Sequence, residues 1–186
     1  GVAIMQMDKG LDTGDVWSEE KIAITPEMTT GELHDRLKEL GAELLLKTIP
    51  VVVTGEKQPV KQPESGVTYA EKITKEEANL NWKEDALTLM RKIHAFNPFP
   101  GAFTHIETDG KQELLKLFDV RICNTPPFKE IEKGAPGKLK VVENRLFVTA
   151  GNGQVLEILT LQAAGKRKME SAQFLQGNDV DGKECR

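Results

Sequence analysis

The 186-residue chain is poor in cysteine and thin in aromatics, and each shortage excludes something. Cys123 and Cys185 are the only thiols, and neither stands in a Cys-x-x-Cys or Cys/His ligand spacing. That rules out a disulfide framework and a structural zinc site, and leaves two free thiols in a reducing compartment as the expected state. Aromatic residues make up 5% of the chain against 39% hydrophobic overall, an ordinary soluble composition. No apolar run approaches the roughly 20 residues that a membrane-crossing helix needs. No basic-then-apolar leader opens the sequence, so a cytoplasmic protein without a membrane association is expected. Internal repeats and low-complexity tracts are missing too.

Charge of one sign is also lacking. The net charge is −4, but residues 1–63 hold 11 acidic against 7 basic side chains, whereas the remainder holds 18 of each. A neutral half can still carry a local basic face, so this balance does not exclude a nucleic-acid partner.

Where the chain is informative is near its start. Apolar residues 2–7 are followed by Asp8, Gly10, Asp12, Gly14 and Asp15, and a second strand-like run covers 16–24. A strand ending in a Gly-rich acidic turn can hold a carboxylate at the rim of an α/β sheet, where ligands tend to bind. Two readings stay open on the residues alone. Asp12 is a general base or electrostatic partner presented between Gly10 and Gly14; or Asp8, Asp12 and Asp15 are solvated turn residues. A cation held by Asp8 and Asp15 finds no supporting histidine, and no metal is expected.

Thr29 with Glu32 fits a capping box, and Leu33, Leu37, Leu40, Leu44 and Leu45 follow at helical spacing, continuing through Ile49, Val52 and Val53. The Gly- and Pro-rich residues 54–66 read as a linker. Ala86, Leu89, Met90 and Ile93 form one stripe of a second helix, which Asn97-Pro98-Phe99-Pro100-Gly101 stops. Beyond it come short strands over 102–108, 113–123, 138–142, 145–149 and 155–161, with turns at Asp109-Gly110, Asn144 and Gly151-Asn152-Gly153. A small β-barrel is the expected outcome, followed by a helix over 171–176 and a polar, frayed tail over 178–186. Trp82, Phe96, Phe99 and Phe103 read as packing residues where helix meets barrel.

Four ordered segments carry a family resemblance. Val2-Ala3-Ile4-Met5-Gln6-Met7-Asp8-Lys9-Gly10-Leu11-Asp12-Thr13-Gly14-Asp15 resembles the Gly-Leu-Asp-Thr-Gly-Asp segment of methionyl-tRNA formyltransferases. Val67 to Ile73, with Lys75-Glu76-Glu77-Ala78 and Trp82, is similar to the entry into that family's C-terminal domain. Residues 91–101, ending Asn97-Pro98-Phe99-Pro100-Gly101, and the run Leu161-Gln162-Ala163-Ala164-Gly165-Lys166-Arg167-Lys168-Met169 complete the set.

The resemblance implies an α/β fragment over 1–53, the end of a Rossmann-like formyltransferase domain. It implies a linker over 54–68 and a mainly β, OB-fold-like domain over 69–186 that binds tRNA. The implied reaction moves formyl from 10-formyltetrahydrofolate to the amino group of methionyl initiator tRNA in translation initiation. In the family an Asn, a His and an Asp surround the formyl carbon, and the Asp corresponds to Asp12. Its implied role is to orient and charge-stabilise the His and to help remove the proton from the attacking amine. Met7, Asp8, Lys9, Gly10 and Leu11 would line the pterin pocket, and the full-length enzyme is expected to be monomeric.

The family's Asn-x-His segment has no counterpart here. His34, His94 and His105 are the only histidines and none stands in that motif. The chain is therefore expected to begin within a longer protein and to lack formyltransferase activity by itself. Lys166, Arg167 and Lys168 are the strongest nucleic-acid candidates in the second half, with Arg91, Lys92, Lys72 and Lys75 extending the patch; a solvated loop is the competing reading. Alternatives within reach are an amino-sugar formyltransferase, a formyltetrahydrofolate hydrolase, and a tRNA-binding module without catalysis.

Overall fold

The computed structural model describes residues 1–108, 110–125, 127 and 134–186; Asp109, half of the expected Asp109-Gly110 turn, lies outside them. The chain divides into two compact units. The first comprises Gly1–Thr25 with Gly31–Lys72, the second Pro26–Thr30 with Ile73–Arg186.

In the first unit, β1 (Val2–Met5) and β2 (Val16–Glu20) pair antiparallel, with Val2 opposite Glu20 and an irregularity between Ile4 and Met5. Helix α1 spans Thr30–Thr54, so most of it belongs to this unit. It runs through Pro50, and its leucine periodicity places Leu33, Leu37 and Leu40 half-buried and Leu44 buried. A Cβ added to Gly41 would stand 3.4 Å from Val2, so the small residue lets the helix lie close across β1. Ser18 and Thr48 hydroxyls meet at 2.6 Å, and Thr48 also donates to the Leu44 carbonyl. The C-terminal half of the stripe is bare: Leu45, Leu46, Ile49, Val52 and Val53 are exposed.

The second unit is built round α2 (Ala86–Ala95) and a sheet. Asp85 caps α2 by accepting from the Thr88 backbone N–H and hydroxyl at 2.9 and 2.7 Å. The helix ends at Ala95, with Phe96 as its C-cap just before the Asn97-Pro98 pair. The strands are β3 (Ala102–Thr108), β4 (Lys111–Cys123), β5 (Leu139–Val142), β6 (Arg145–Thr149), β7 (Val155–Ala163) and β8 (Met169–Glu170). They lie antiparallel in the order β3-β4-β7-β6-β5, with β8 pairing β7. Helix α3 (Ser171–Leu175) follows. Leu89 and Ile93 of α2 meet Leu115, Leu117, Leu146, Leu156, Ile158 and Leu161 of the sheet in one core. Trp82 is buried there, its indole N–H donating to the Thr104 hydroxyl at 2.9 Å.

Three expectations are corrected, two of them at the edges of the sheet. The strands do not close into an OB-like barrel: β3 and β5 are the edges of the sheet and are not paired with each other. Nor is the tail frayed. Arg186 exchanges two backbone hydrogen bonds with His105 on β3, while the Gly137 carbonyl accepts from Cys185 and the Lys183 carbonyl from Leu139. The physical reason is common to both. Open edges carry unpaired backbone groups, and the tail satisfies them while burying Val180 and Cys185. A third correction concerns Phe99, which is 79% exposed, unlike Phe96 and Phe103, which pack on the core.

Candidate functional site

The acidic turn joins β1 to β2, and its shape comes from backbone hydrogen bonds and one glutamine. The Gln6 N–H donates to the Asp15 carbonyl at 2.8 Å, closing the loop at its base. Gly14 is buried there, and any Cβ on it would collide with the Gln6 carbonyl oxygen. Asp12 has φ of 52°, a left-handed conformation that aspartate tolerates better than most residues. The carbonyls of Asp12 and Gly14 both accept from the Gln62 side-chain amide, at 2.9 and 2.6 Å. Val60 adds a bridge to Val16 through two 2.8 Å hydrogen bonds. Residues 60–62, inside the stretch read as a linker, therefore hold the turn. Gln62 was not singled out in the sequence, because a polar residue in a Pro-flanked segment carries no signal of its partner.

The turn and this returning segment enclose a hollow of about 690 Å³, lined by Asp8, Leu11, Asp12, Asp15, Lys61 and Tyr69 among others. Asp8 accepts from the Lys9 backbone N–H at 2.7 Å, and Met7 and Leu11 are largely exposed. Carboxylates from two sides of the turn thus face one space with an apolar wall. No histidine or asparagine among the described residues lines the hollow. Among the described residues no group of three histidine, cysteine, aspartate or glutamate side chains stands close enough to hold a metal ion. His34 is exposed beside Asp35; His94 is buried, with its nitrogens 3.3 Å from the Pro26 carbonyl and 3.2 Å from Asp119; His105 is half-buried on β3. The structure places Asp8, Asp12 and Asp15 along one hollow, and none of His34, His94 and His105 lines it.

In the second unit, Lys166, Arg167 and Lys168 stand exposed on the loop between β7 and β8. The loop is fixed, not loose: Lys166 N–H donates to the Ala163 carbonyl, and the Gln162 amide donates to the Lys166 carbonyl at 2.7 Å. Lys168 Nζ lies 4.6 Å from the Phe118 ring centroid, a cation–π geometry. Arg91 is exposed on α2, whereas Lys92 is half-buried and donates to the Asn79 carbonyl at 2.9 Å. The charge of Lys92 is thus partly spent on the protein itself.

A further charged cluster escaped the sequence reading. Glu157, 4% exposed, takes Arg145 through two hydrogen bonds of 2.8 and 2.7 Å and Arg121 through one of 2.6 Å. These guanidinium donors hold its carboxyl below the ordinary range, and Arg145 is raised in return. Arg145 also lies 4.9 Å from the Phe147 ring centroid. The available signal was a lone carboxylate inside the apolar strand Val155–Ala163.

Comparison with known proteins agrees with both halves. The model described as formyl transferase, C-terminal domain, matches residues 72–179, and the one described as formyl transferase matches residues 1–49. Methionyl-tRNA formyltransferases of Rhodopseudomonas palustris (strain BisB18) and Nitrobacter hamburgensis are each 41% identical over 180 residues, covering 97% of this chain and 55% of the relative. That of Brucella ovis is 40% identical, covering 97% and 56%. The chain thus spans about half the length of the curated relatives it matches. Among solved structures, HypX from Aquifex aeolicus in complex with tetrahydrofolic acid aligns with a TM-score of 0.65 at 22% identity, covering 99% of this chain and 33% of that one. The N-formyltransferase from Helicobacter canadensis, in complex with folinic acid and dTDP-3-aminofucose, aligns with a TM-score of 0.61 at 16% identity, covering 84% and 54%. At these identities the structural likeness speaks for the fold alone. On the match to more than half its length, the chain belongs to the formyl transferase family.

Proposed function

We propose that this chain is the C-terminal portion of a methionyl-tRNA formyltransferase, with residues 1–53 ending its catalytic domain, 54–68 as linker and 69–186 as the tRNA-facing domain. The observation that supports this most is the 41% identity sustained over 97% of the chain. In this reading Asp12 is the family's catalytic aspartate. Attack by the methionyl amine on a formyl carbon creates an oxyanion and a cationic nitrogen, and the nitrogen must lose a proton. A carboxylate in a fixed turn serves the second need by orienting and charge-stabilising an imidazole. Fixity is what the Gln62 and Gln6 hydrogen bonds supply at Asp12.

The formyl donor, 10-formyltetrahydrofolate, would sit against Met7, Asp8, Lys9, Gly10 and Leu11. The hollow beside Asp12 suits a flat heterocycle with polar edges, since it offers Leu11 and Tyr69 with carboxylates and backbone groups around them. Lys166, Arg167, Lys168 and Arg91 would contact phosphates of the initiator tRNA, with Lys92 adding charge nearby. The cytoplasm is the matching compartment, and a monomer the matching assembly for the whole enzyme. The family's Asn-x-His segment has no counterpart in this sequence, and in this reading the chain by itself does not carry out formyl transfer.

A chimaera tests the assignment. This chain should replace the corresponding segment of the Brucella ovis relative and retain formylation of initiator methionyl-tRNA. Asp12→Asn in the chimaera should cost a hundredfold or more, roughly the scale of an acid–base contribution. A folded chimaera with no tRNA formylation, or one that formylates a dTDP-amino sugar instead, would refute the reading.

A further inference from the structure

We propose that the exposed ring of Phe99, on the turn whose Pro100 carbonyl Lys116 binds, is a stacking platform for an unpaired nucleotide of an RNA partner. Two segments some 70 residues apart in the chain meet here, and Phe118 is the hinge of the meeting. Phe118 occupies a register shift in β4, where the strand departs from regular pairing with β7 between Leu117 and Asp119. Such a bulge re-aims a side chain. The Phe118 ring carries Lys168 at 4.6 Å on one side, and its edge lies within 3.4 Å of where a Cβ on Gly101 would stand. The Asn97–Gly101 turn and the basic loop are thereby placed against the same aromatic residue.

The turn that carries Phe99 is rigidly held. The Asn97 amide donates to the Phe118 carbonyl at 2.8 Å, the Gly101 N–H to the Phe96 carbonyl at 2.9 Å, and the Lys116 ammonium to the Pro100 carbonyl at 2.9 Å. Within this fixed frame the Phe99 side chain points into solvent with 79% of its surface exposed. Exposing a large ring costs hydrophobic free energy, and pinning its backbone adds an entropic cost; neither serves the core. A pre-positioned aromatic face on a turn bound by Lys116, with the Lys166–Lys168 loop reaching the same Phe118 that adjoins the turn, has the chemistry of a base-stacking site. The π-face takes any base, and the cations take the adjoining phosphates. Arg167 and Lys166 stand exposed on the same loop as Lys168 and add positive charge for further phosphates. An apolar protein partner would not call for this density of cations, which favours nucleic acid as the occupant. The platform rests on the reading of the second unit as RNA-facing and gives that reading a specific point of contact.

The 186-residue chain should be titrated with a short single-stranded RNA, a duplex of the same sequence and initiator tRNA, following anisotropy. Phe99→Ala should weaken single-strand binding about tenfold and leave the duplex unchanged. Phe99→Trp should keep the affinity, and the introduced indole should be quenched by the single strand. Lys168→Ala should reduce the salt slope by about one. Because Phe99 touches solvent, its replacement should leave the melting temperature unaltered, and that measurement accompanies the titrations. Unchanged tRNA and single-strand binding in Phe99→Ala, with no quenching in Phe99→Trp, overturns the platform while leaving an RNA-facing domain in place. Failure of the unaltered chain to bind any of the three RNAs overturns both.

Discussion

Glu157→Gln should destabilise the second unit by about 2 kcal/mol, and the loss should depend on pH in a defined direction. The carboxylate is 4% exposed and accepts three hydrogen bonds from two guanidiniums. Glutamine keeps the shape but carries no charge and offers one acceptor oxygen. Breaking a fully buried ion pair costs about 3–5 kcal/mol. Here the side chains of Arg121 and Arg145 are 60% and 37% exposed, so water re-solvates both, and the lower figure follows. A unit of this size has an unfolding entropy that converts 1 kcal/mol into roughly 4 °C, so the melting point should fall by about 8 °C at neutral pH. Glu157 is held below its ordinary value of 4.5, first by the Arg145 hydrogen bonds against the cost of burial. A carboxylate with a lowered folded pKa contributes stability above its unfolded pKa and loses that contribution as pH falls through the folded one. The gap between wild type and variant should therefore be full at pH 7 and shrink below about pH 4.5. Thermal melts of both proteins between pH 3 and 7 measure it. A shift under 1 °C at pH 7, or a gap that does not narrow on acidification, would refute the argument.

Two further predictions concern the turn and the tail. Gly14→Ala should displace the Gln6 carbonyl and open the base of the acidic loop, so the Gln6 amide, bonded to the Asp15 carbonyl at 2.8 Å, should lose its protection in hydrogen exchange; retained protection would show that the loop does not depend on that close approach. Burial pushes the Cys185 thiol up to about 12, so at pH 8 only about one molecule in ten thousand presents the thiolate that an alkylating agent needs. Iodoacetamide should modify half-buried Cys123 first and Cys185 only on denaturation; equal rates would mean that the tail is not seated between β3 and β5.

Much of the secondary structure was legible because local signals carried it. The Ala86, Leu89, Met90 and Ile93 stripe of α2 and the strands from Ala102 onward follow from periodicity and turn residues, whereas the Asp85 cap emerged only in the structure. Strand limits were less so: the second run was expected over 16–24 and pairs with β1 over Val16–Glu20. Local reading failed where a distant partner decides. Residues 178–186 look like a polar tail, yet unpaired edges at His105 and Gly137 recruit their backbone. Phe99 looks like its neighbours Phe96 and Phe103, but the turn that follows α2 points it outward.

By itself the sequence determined the acidic turn, the α2 stripe, five of the second unit's strands along the chain and, through four ordered motifs, the family. Each of these is written in spacings of a few residues, which is the range over which backbone propensity and hydrophobic period act. The tertiary structure alone decided the rest. It assigned Gln62 to the Asp12 and Gly14 carbonyls across some 50 positions, joined Arg121 and Arg145 on Glu157, and kept the sheet open with the tail along its edges. These are pairings of hydrogen-bonding groups brought together by folding. No spacing in the sequence encodes them, because a buried donor or acceptor requires a partner and not a partner at any particular distance along the chain.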